Sequence, residues 1–225
     1  MNCLRREGFE IVPKFVPEKT IYQLGVLLNE VSARRSRAGI RNALRVPAVH
    51  SLANDEKLVT LARHALGDGA IPFRATLFDK SPDSNWLVVW HQDTALPLRE
   101  RKDVHGWGPW SVKEGVICAH APALALEQVL AIRVHLDNSN NENGSLRVLP
   151  RSHTMGVLTD DEIHDLSVNT PAVDCYVPSG GIVLMKPLTV HASSKAKAKE
   201  ARRRVLHIEY AASLKISSEL ELQLC

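Results

Sequence analysis

The chain has 225 residues, 44% hydrophobic and 24% charged, with a formal net charge of +3, an ordinary globular composition with length for one sizeable core, so a single domain over 1–225 is expected. No apolar run approaches the roughly 20 residues of a membrane span, and Met1–Glu7 lacks the apolar stretch of a signal peptide, so an intracellular, cytoplasmic protein is expected. The basic clusters Arg34, Arg35, Arg37 and Lys195, Lys197, Lys199, Arg202–Arg204 carry no interleaved aromatic residues, which reads as solvated loop and argues against nucleic acid as a partner.

Helices are predicted first, over about 17–66. Pro17 suits a first helical turn and is followed by a broad apolar face of Ile21, Leu24, Val26, Leu27, Leu28 and Val31; a second helix runs from about Asp55 to Leu66 and closes at Gly67. From Ile71 the texture changes to short β-rich runs. Strands are predicted at Phe73–Phe78, Trp86–His91, Gly115–Ala119, Val129–Asp137, Ser145–Leu149, Val173–Val177, Ile182–Met185, Thr189–Ala192 and Arg203–Ala211. Asn143-Gly144 between two apolar runs predicts a hairpin, and many closely spaced strands predict a sandwich or barrel with helices on one side. The segment 94–126 is the least regular and reads as a lid; Trp86, Trp107 and Trp110 are candidate cavity residues. The four cysteines are scattered, with no CxxC pair, and read as buried or incidental thiols.

Alternate residues of a strand share a side, so a His-X-Asp triplet at a strand end presents an imidazole and a carboxylate to one point. A second histidine from a neighbouring strand completes the two-His, one-carboxylate triad of non-heme Fe(II) sites. The chain offers His91-Gln92-Asp93, His135-Leu136-Asp137 and the related His207-Ile208-Glu209, and periodicity does not choose among them.

Three ordered stretches add to this: Trp90-His91-Gln92-Asp93, then Asn143-Gly144-Ser145 through Pro150-Arg151-Ser152-His153, then Gly180-Gly181 leading to His191-Ala192-Ser193 with the arginines at 202–204. With Glu7–Pro13, they make the chain resemble the phytanoyl-CoA dioxygenase family over nearly its whole length. The resemblance implies a double-stranded β-helix (jelly roll), mainly β with flanking helices, and an enzyme using Fe(II), 2-oxoglutarate and O2 to hydroxylate a small-molecule substrate. It maps His91, Asp93 and His191 to the iron, Arg203 or the adjacent Arg202 to the far carboxylate of 2-oxoglutarate, and Ser193 to a position touching the cosubstrate. Gln92, Lys80 and Asn85 are further candidates near the cosubstrate. Arg133 stands where some relatives carry a tryptophan beside it, which makes the pocket more cationic and argues against a long acyl substrate. On the same map His135-Leu136-Asp137 becomes pocket wall, while His120, His153 and His207 carry no assigned role. The family's Pro-Gly-Ser-His reads Pro150-Arg151-Ser152-His153 here, which places a non-glycine residue where a positive φ is required. Two rival readings are a catalytically silent metal- or ligand-binding sensor or scaffold, and a cupin-like metalloenzyme that uses no 2-oxoglutarate.

Overall fold

A computed structural model describes residues 2–31, 39–198 and 200–225; Arg34, Arg35, Arg37 and Lys199 lie outside the described residues, as does the side chain of Val31. Helices occupy Asn2–Glu7 (α1), Glu18–Val31 (α2), Pro47–Ala53 (α3), Glu56–Leu66 (α4), Ala123–Leu126 (α5) and Asp160–Asn169 (α6). The strands are Phe9–Val12 (β1), Gly39–Ile40 (β2), Ile71–Lys80 (β3), Val88–His91 (β4), Ala95–Leu98 (β5), Trp110–Lys113 (β6) and Val116–His120 (β7). They continue with Val129–His135 (β8), Leu146–Val148 (β9), Val173–Cys175 (β10), Ile182–Met185 (β11), His191–Ser193 (β12) and Arg203–Ala211 (β13).

The strands form a jelly roll. Its major sheet has the order β1-β11-β8-β13-β3-β2, its minor sheet the order β10-β9-β12-β4, and a third sheet has the order β5-β7-β6. The major sheet has two unlike faces because its long central strands alternate in character. On β13, Leu206, Ile208 and Tyr210 point into the main core with Ala75, Leu77, Ile132 and Val134, and helices α2 to α4 cover that face through Leu24, Leu28, Val49 and Leu58. The Tyr210 hydroxyl donates to the Ala53 carbonyl at 2.8 Å, so the buried phenol is satisfied where it meets α3. The intervening residues, Arg203, His207 and Glu209 on β13 with Arg74, Thr76 and Phe78 on β3 and Arg133 on β8, face a cavity instead.

Several expectations change. The apolar face of α2 is narrower than predicted: Val26 and Leu27 are exposed. Asn143-Gly144 is no hairpin, since β8 belongs to the major sheet and β9 to the minor one, and the turn carries the chain between them. Glycine is required there by a φ of +70° and by a close approach, as a Cβ would lie 2.3 Å from the Ser194 carbonyl oxygen. The segment 94–126 is more regular than expected, because β5 and β6 both pair with β7, although 99–109 between them is neither strand nor helix. It packs Leu96, Leu98, Ala119 and Leu126 against Phe73, Leu188 and Leu222, and Trp107 and Trp110 join that cluster, leaving Trp86 on the cavity. No helix among the described residues is long and apolar enough to cross a membrane.

Candidate metal centre and its cavity

A cavity of about 390 Å³ lies between the major and minor sheets, with the third sheet forming part of its wall through Ala95, Pro97, Lys113, Val116 and Cys118. On the minor-sheet side, β4 and β12 pair so that His91 stands directly opposite His191, with ring centroids 4.2 Å apart. Asp93 follows β4, its backbone N–H anchored on the Pro187 carbonyl at 3.0 Å. Its carboxylate reaches within 3.6 Å of His91 Nε2 and 3.5 Å of His191 Nε2. One ligand atom from each of the three residues lies within 4.8 Å of the others, the only such His/Cys/Asp/Glu grouping among the described residues.

The two imidazoles are held in the same way. His91 Nδ1 lies 2.8 Å from the Val89 carbonyl and His191 Nδ1 lies 2.9 Å from the Thr189 carbonyl, each two residues earlier in the chain. A carbonyl only accepts, so each Nδ1 carries the proton and each Nε2 turns its lone pair to the shared point. Burial pushes His191 down to about 4, against the pull of Asp93, so the ring is neutral and ready to ligate. Burial alone would raise the Asp93 carboxyl, but His191 and His91 outweigh it and hold the group well below the usual carboxylate range. Burial works against a charged His91 ring, but Asp93 outweighs it and shifts that ring up; a metal ion would take the place of the proton shared there, and two imidazole nitrogens with one carboxylate on one side of a point fit Fe(II).

The opposite wall is cationic. Arg203 is 4% exposed; its Nε donates to the Asn143 carbonyl at 3.3 Å, its Nη2 to Ser193 Oγ at 3.1 Å, and its Nη1 is buried without a partner. Burial, then repulsion from Arg133, pushes it down to about 9. Ser193 is a junction: its hydroxyl donates to the Gly144 carbonyl at 2.8 Å and accepts from both Arg203 and, at 3.0 Å, Lys80. Lys80 is the cross-strand partner of Arg203 and is buried, its ammonium also meeting the Ser194 carbonyl and lying 5.4 Å from the Trp86 ring centroid.

The other candidates are placed elsewhere. Arg202, one step from Arg203 along an extended chain, points to the opposite face, where it clamps Asp79 at 2.9 and 3.1 Å and reaches Asn29 on α2. Gln92 sits between the two ligands and its amide donates to the Gly156 and Leu188 carbonyls, while its oxygen accepts from the Leu158 N–H; it pins the loops behind the metal point. Asn85 makes a two-way clasp on the backbone of Ala196 in the loop after β12. The competing triplet comes apart: His135 is fully buried with neither ring nitrogen bonded, and Asp137, expected as pocket wall, instead clamps Arg204 on the helix-facing side. Arg151 adopts φ +66°, the left-handed conformation that the missing glycine would take without strain.

Arg74 was missed in the sequence, and His207 and Glu209, named there only as a possible metal triplet, take other parts in the cavity wall. Arg74 and Glu209 form a two-point ion pair across β3 and β13, and His207 Nδ1 accepts from Arg133 Nη1 at 2.9 Å. The signal was available, since Arg203, His207 and Glu209 all follow the period of two that puts them on one side of β13.

The family model for phytanoyl-CoA dioxygenase (PhyH) matches residues 4–205. The chain is similar to a probable alpha-ketoglutarate-dependent hypophosphite dioxygenase of Stutzerimonas stutzeri, 28% identical over 180 residues, covering 74% of this chain and 54% of the relative, so it spans about half that protein's length. Among solved structures, AviO1 from Streptomyces viridochromogenes Tue57 matches with a TM-score of 0.68 at 24% identity, over 93% of this chain and 92% of that one. The epimerase SnoN, in complex with Fe3+, alpha ketoglutarate and nogalamycin RO, matches with a TM-score of 0.73 at 17% identity, over 99% of this chain and 84% of that one. The structural likenesses establish the fold, and the family model establishes the lineage: the chain belongs to the phytanoyl-CoA dioxygenase (PhyH) family of iron- and 2-oxoglutarate-dependent oxygenases.

Proposed function

We propose that the chain is an Fe(II)- and 2-oxoglutarate-dependent dioxygenase that hydroxylates a C–H bond of a small substrate and releases succinate and CO2. The observation that carries this reading is the pairing, across one cavity, of a two-His, one-carboxylate triad with a buried arginine that has an unused donor. His91, Asp93 and His191 would hold the iron. Arg203, braced by Ser193 with Lys80 beside it, would take the far carboxylate, for which a guanidinium supplies paired, charge-assisted donors. Bound there, iron with 2-oxoglutarate supplies the oxidative chemistry. The chain's own residues present two imidazole nitrogens, keep Asp93 ionised and hold the cationic wall in place. Since Asp93 supplies the third ligand, no coordination position is given up to a halide, which favours hydroxylation over halogenation.

The test is anaerobic addition of 2-oxoglutarate to the Fe(II) protein. A weak visible charge-transfer band is expected, absent in His191→Ala, and succinate release is expected once O2 is admitted. Iron binding with no band and no succinate would favour the silent or 2-oxoglutarate-free alternatives.

A further inference from the structure

The cavity wall holds two buried arginines without an anion, and the functional reading above uses one. The arginines on β3 and β13 that do find a carboxylate, together with Arg202 next to β13, all bind it in one way, through the edge formed by Nε and Nη2: Arg74 on Glu209, Arg202 on Asp79 and Arg204 on Asp137. In Arg203 that edge is filled by two neutral oxygens, those of Asn143 and Ser193.

In Arg133 no carboxylate fills that edge, and Nε is unpaired among the described residues. The residue is 6% exposed and lines the cavity. Its Nη1 donates to His207 Nδ1 at 2.9 Å, its guanidinium carbon lies 5.5 Å from the Phe78 ring centroid, and its buried Nε has no partner among the described residues. These neighbours fix the plane of the guanidinium and give it no carboxylate in hydrogen-bond contact, although Asp93 and Glu209 favour its charged form from a distance. An accepting Nδ1 also means that His207 is neutral, in keeping with burial and Arg133 together holding it well below its ordinary range.

The charge of a loaded cavity points the same way. A divalent ion on one aspartate keeps a single positive charge, which together with Arg203, and with Lys80 beside it once charged, already meets the two carboxylates of 2-oxoglutarate. Arg133 then remains in excess, and Glu209, the other acid on the cavity wall, is already committed to Arg74. A buried cation in this state favours an anion strongly.

Resting on the functional reading above, we propose that the primary substrate is a small oxyanion whose carboxylate or phosphorus-oxyanion group binds the Nε edge of Arg133, with His207 as the positioning residue that orients the guanidinium.

The experiment is calorimetric titration of the protein loaded with Ni(II) and saturated with 2-oxoglutarate, using propionate, methylphosphonate and the neutral isostere propionamide. At least one anion is expected to bind about tenfold or more tighter than propionamide, the scale of a charge-assisted hydrogen bond, and the better anion identifies the head group. In Arg133→Met this preference is expected to vanish while 2-oxoglutarate affinity holds. Two results would overturn the inference. One is wild-type protein that binds propionamide as well as either anion, a comparison that depends on no variant folding. The other is Arg133→Met that loses 2-oxoglutarate affinity and keeps its anion preference, which would make Arg133 a cosubstrate residue. Wild-type protein that takes Ni(II) but no 2-oxoglutarate overturns the functional reading itself, and the inference with it.

Discussion

The two walls of the cavity solve different problems. The wall with the candidate metal ligands is made of short strands, β4 and β12, and its polar groups are already engaged: each imidazole gives one proton to the carbonyl two residues before it, and Asp93 stands between the two rings. The facing wall is made of long strands, β3, β8 and β13, and leaves buried donors of Arg133 and Arg203 unfilled. The first is organised before any ligand arrives. At Arg133 and Arg203 the second holds charge with no carboxylate in hydrogen-bond contact, which burial makes unfavourable until an anion enters. The contrast predicts that metal binding and anion binding are separable by mutation, even though the two walls face one cavity.

The strongest attempt to break that contrast is the pair Asp93→Ala and Asp137→Ala. The first removes a ligand and is expected to abolish stoichiometric Fe(II) binding and turnover together. The second leaves iron binding intact and costs about 2 kcal/mol of stability, because Arg204 loses two charge-assisted bonds in a partly buried clamp. Metal analysis after desalting, with urea unfolding alongside, reads both; iron lost from Asp137→Ala alone would reverse the assignment.

Next in size is Arg203→Ala. Removing one side of a buried ion pair costs about 3–5 kcal/mol, so the 2-oxoglutarate Kd is expected to rise by two orders of magnitude or more, with Fe(II) affinity unchanged. Arg202→Ala should leave 2-oxoglutarate affinity alone and weaken the fold instead, through the loss of Asp79 as a partner. The opposite pattern would place the cosubstrate on the helix-facing side.

A smaller effect sharpens the comparison through pH. Burial, then Arg203, pushes the Lys80 ammonium down to about 7 in the ligand-free protein. A carboxylate beside it favours the charged form and raises that value, so above pH 7 binding takes up a proton. Affinity for 2-oxoglutarate is therefore expected to be flat below pH 7 and to fall as pH rises above it, and Lys80→Met should remove the slope. The stability of the free protein runs the other way. An unfolded lysine keeps its proton to about pH 10.4, so between pH 7 and about 10 the unfolded state holds more protons and stability rises with pH. Titrations in buffers of different ionisation enthalpy measure the uptake directly.

The smallest effect lies off both walls. Arg151→Gly relieves a left-handed residue of about 1–2 kcal/mol of strain and gives back part of it as chain entropy, so a net gain of about 0.5–1 kcal/mol in urea unfolding is expected, with 2-oxoglutarate and iron binding unchanged.

What was legible in the sequence follows the same division. Strands such as β3, β8 and β13 announce themselves because one face must be apolar to meet the helices. β5 does not, because Pro97 interrupts its pattern, yet it lies at the edge of its sheet, where a missing N–H breaks no ladder. Helix α6 was overlooked despite its signal, a capping box between Thr159 and Glu162. The metal ligands could not be chosen by spacing, since three triplets share it. Only ordered motifs singled out His91-Gln92-Asp93, and it is tertiary structure that turns Asp137 to Arg204 and commits Glu209 to Arg74. The choice between Arg202 and Arg203 was in principle readable, as neighbours on a strand face opposite ways, but it needed the register of β13 to say which way was inward.

That register also makes β13 a ruler. At about 3.3 Å per residue, the Cα atoms of Arg203 and His207 are about 13 Å apart, and Glu209 is about 20 Å from Arg203. At the Glu209 mark the Arg74 guanidinium, held by Glu209, also donates to the Ala95 carbonyl of β5 at 3.0 Å, tying three strands from two sheets. A guest whose charged head rests at the His207 mark therefore has about two residues of strand before it meets this tie. For the anion proposed at Arg133, this spacing predicts a preference for compact molecules over extended chains, a length limit set by the strand and not by the metal centre.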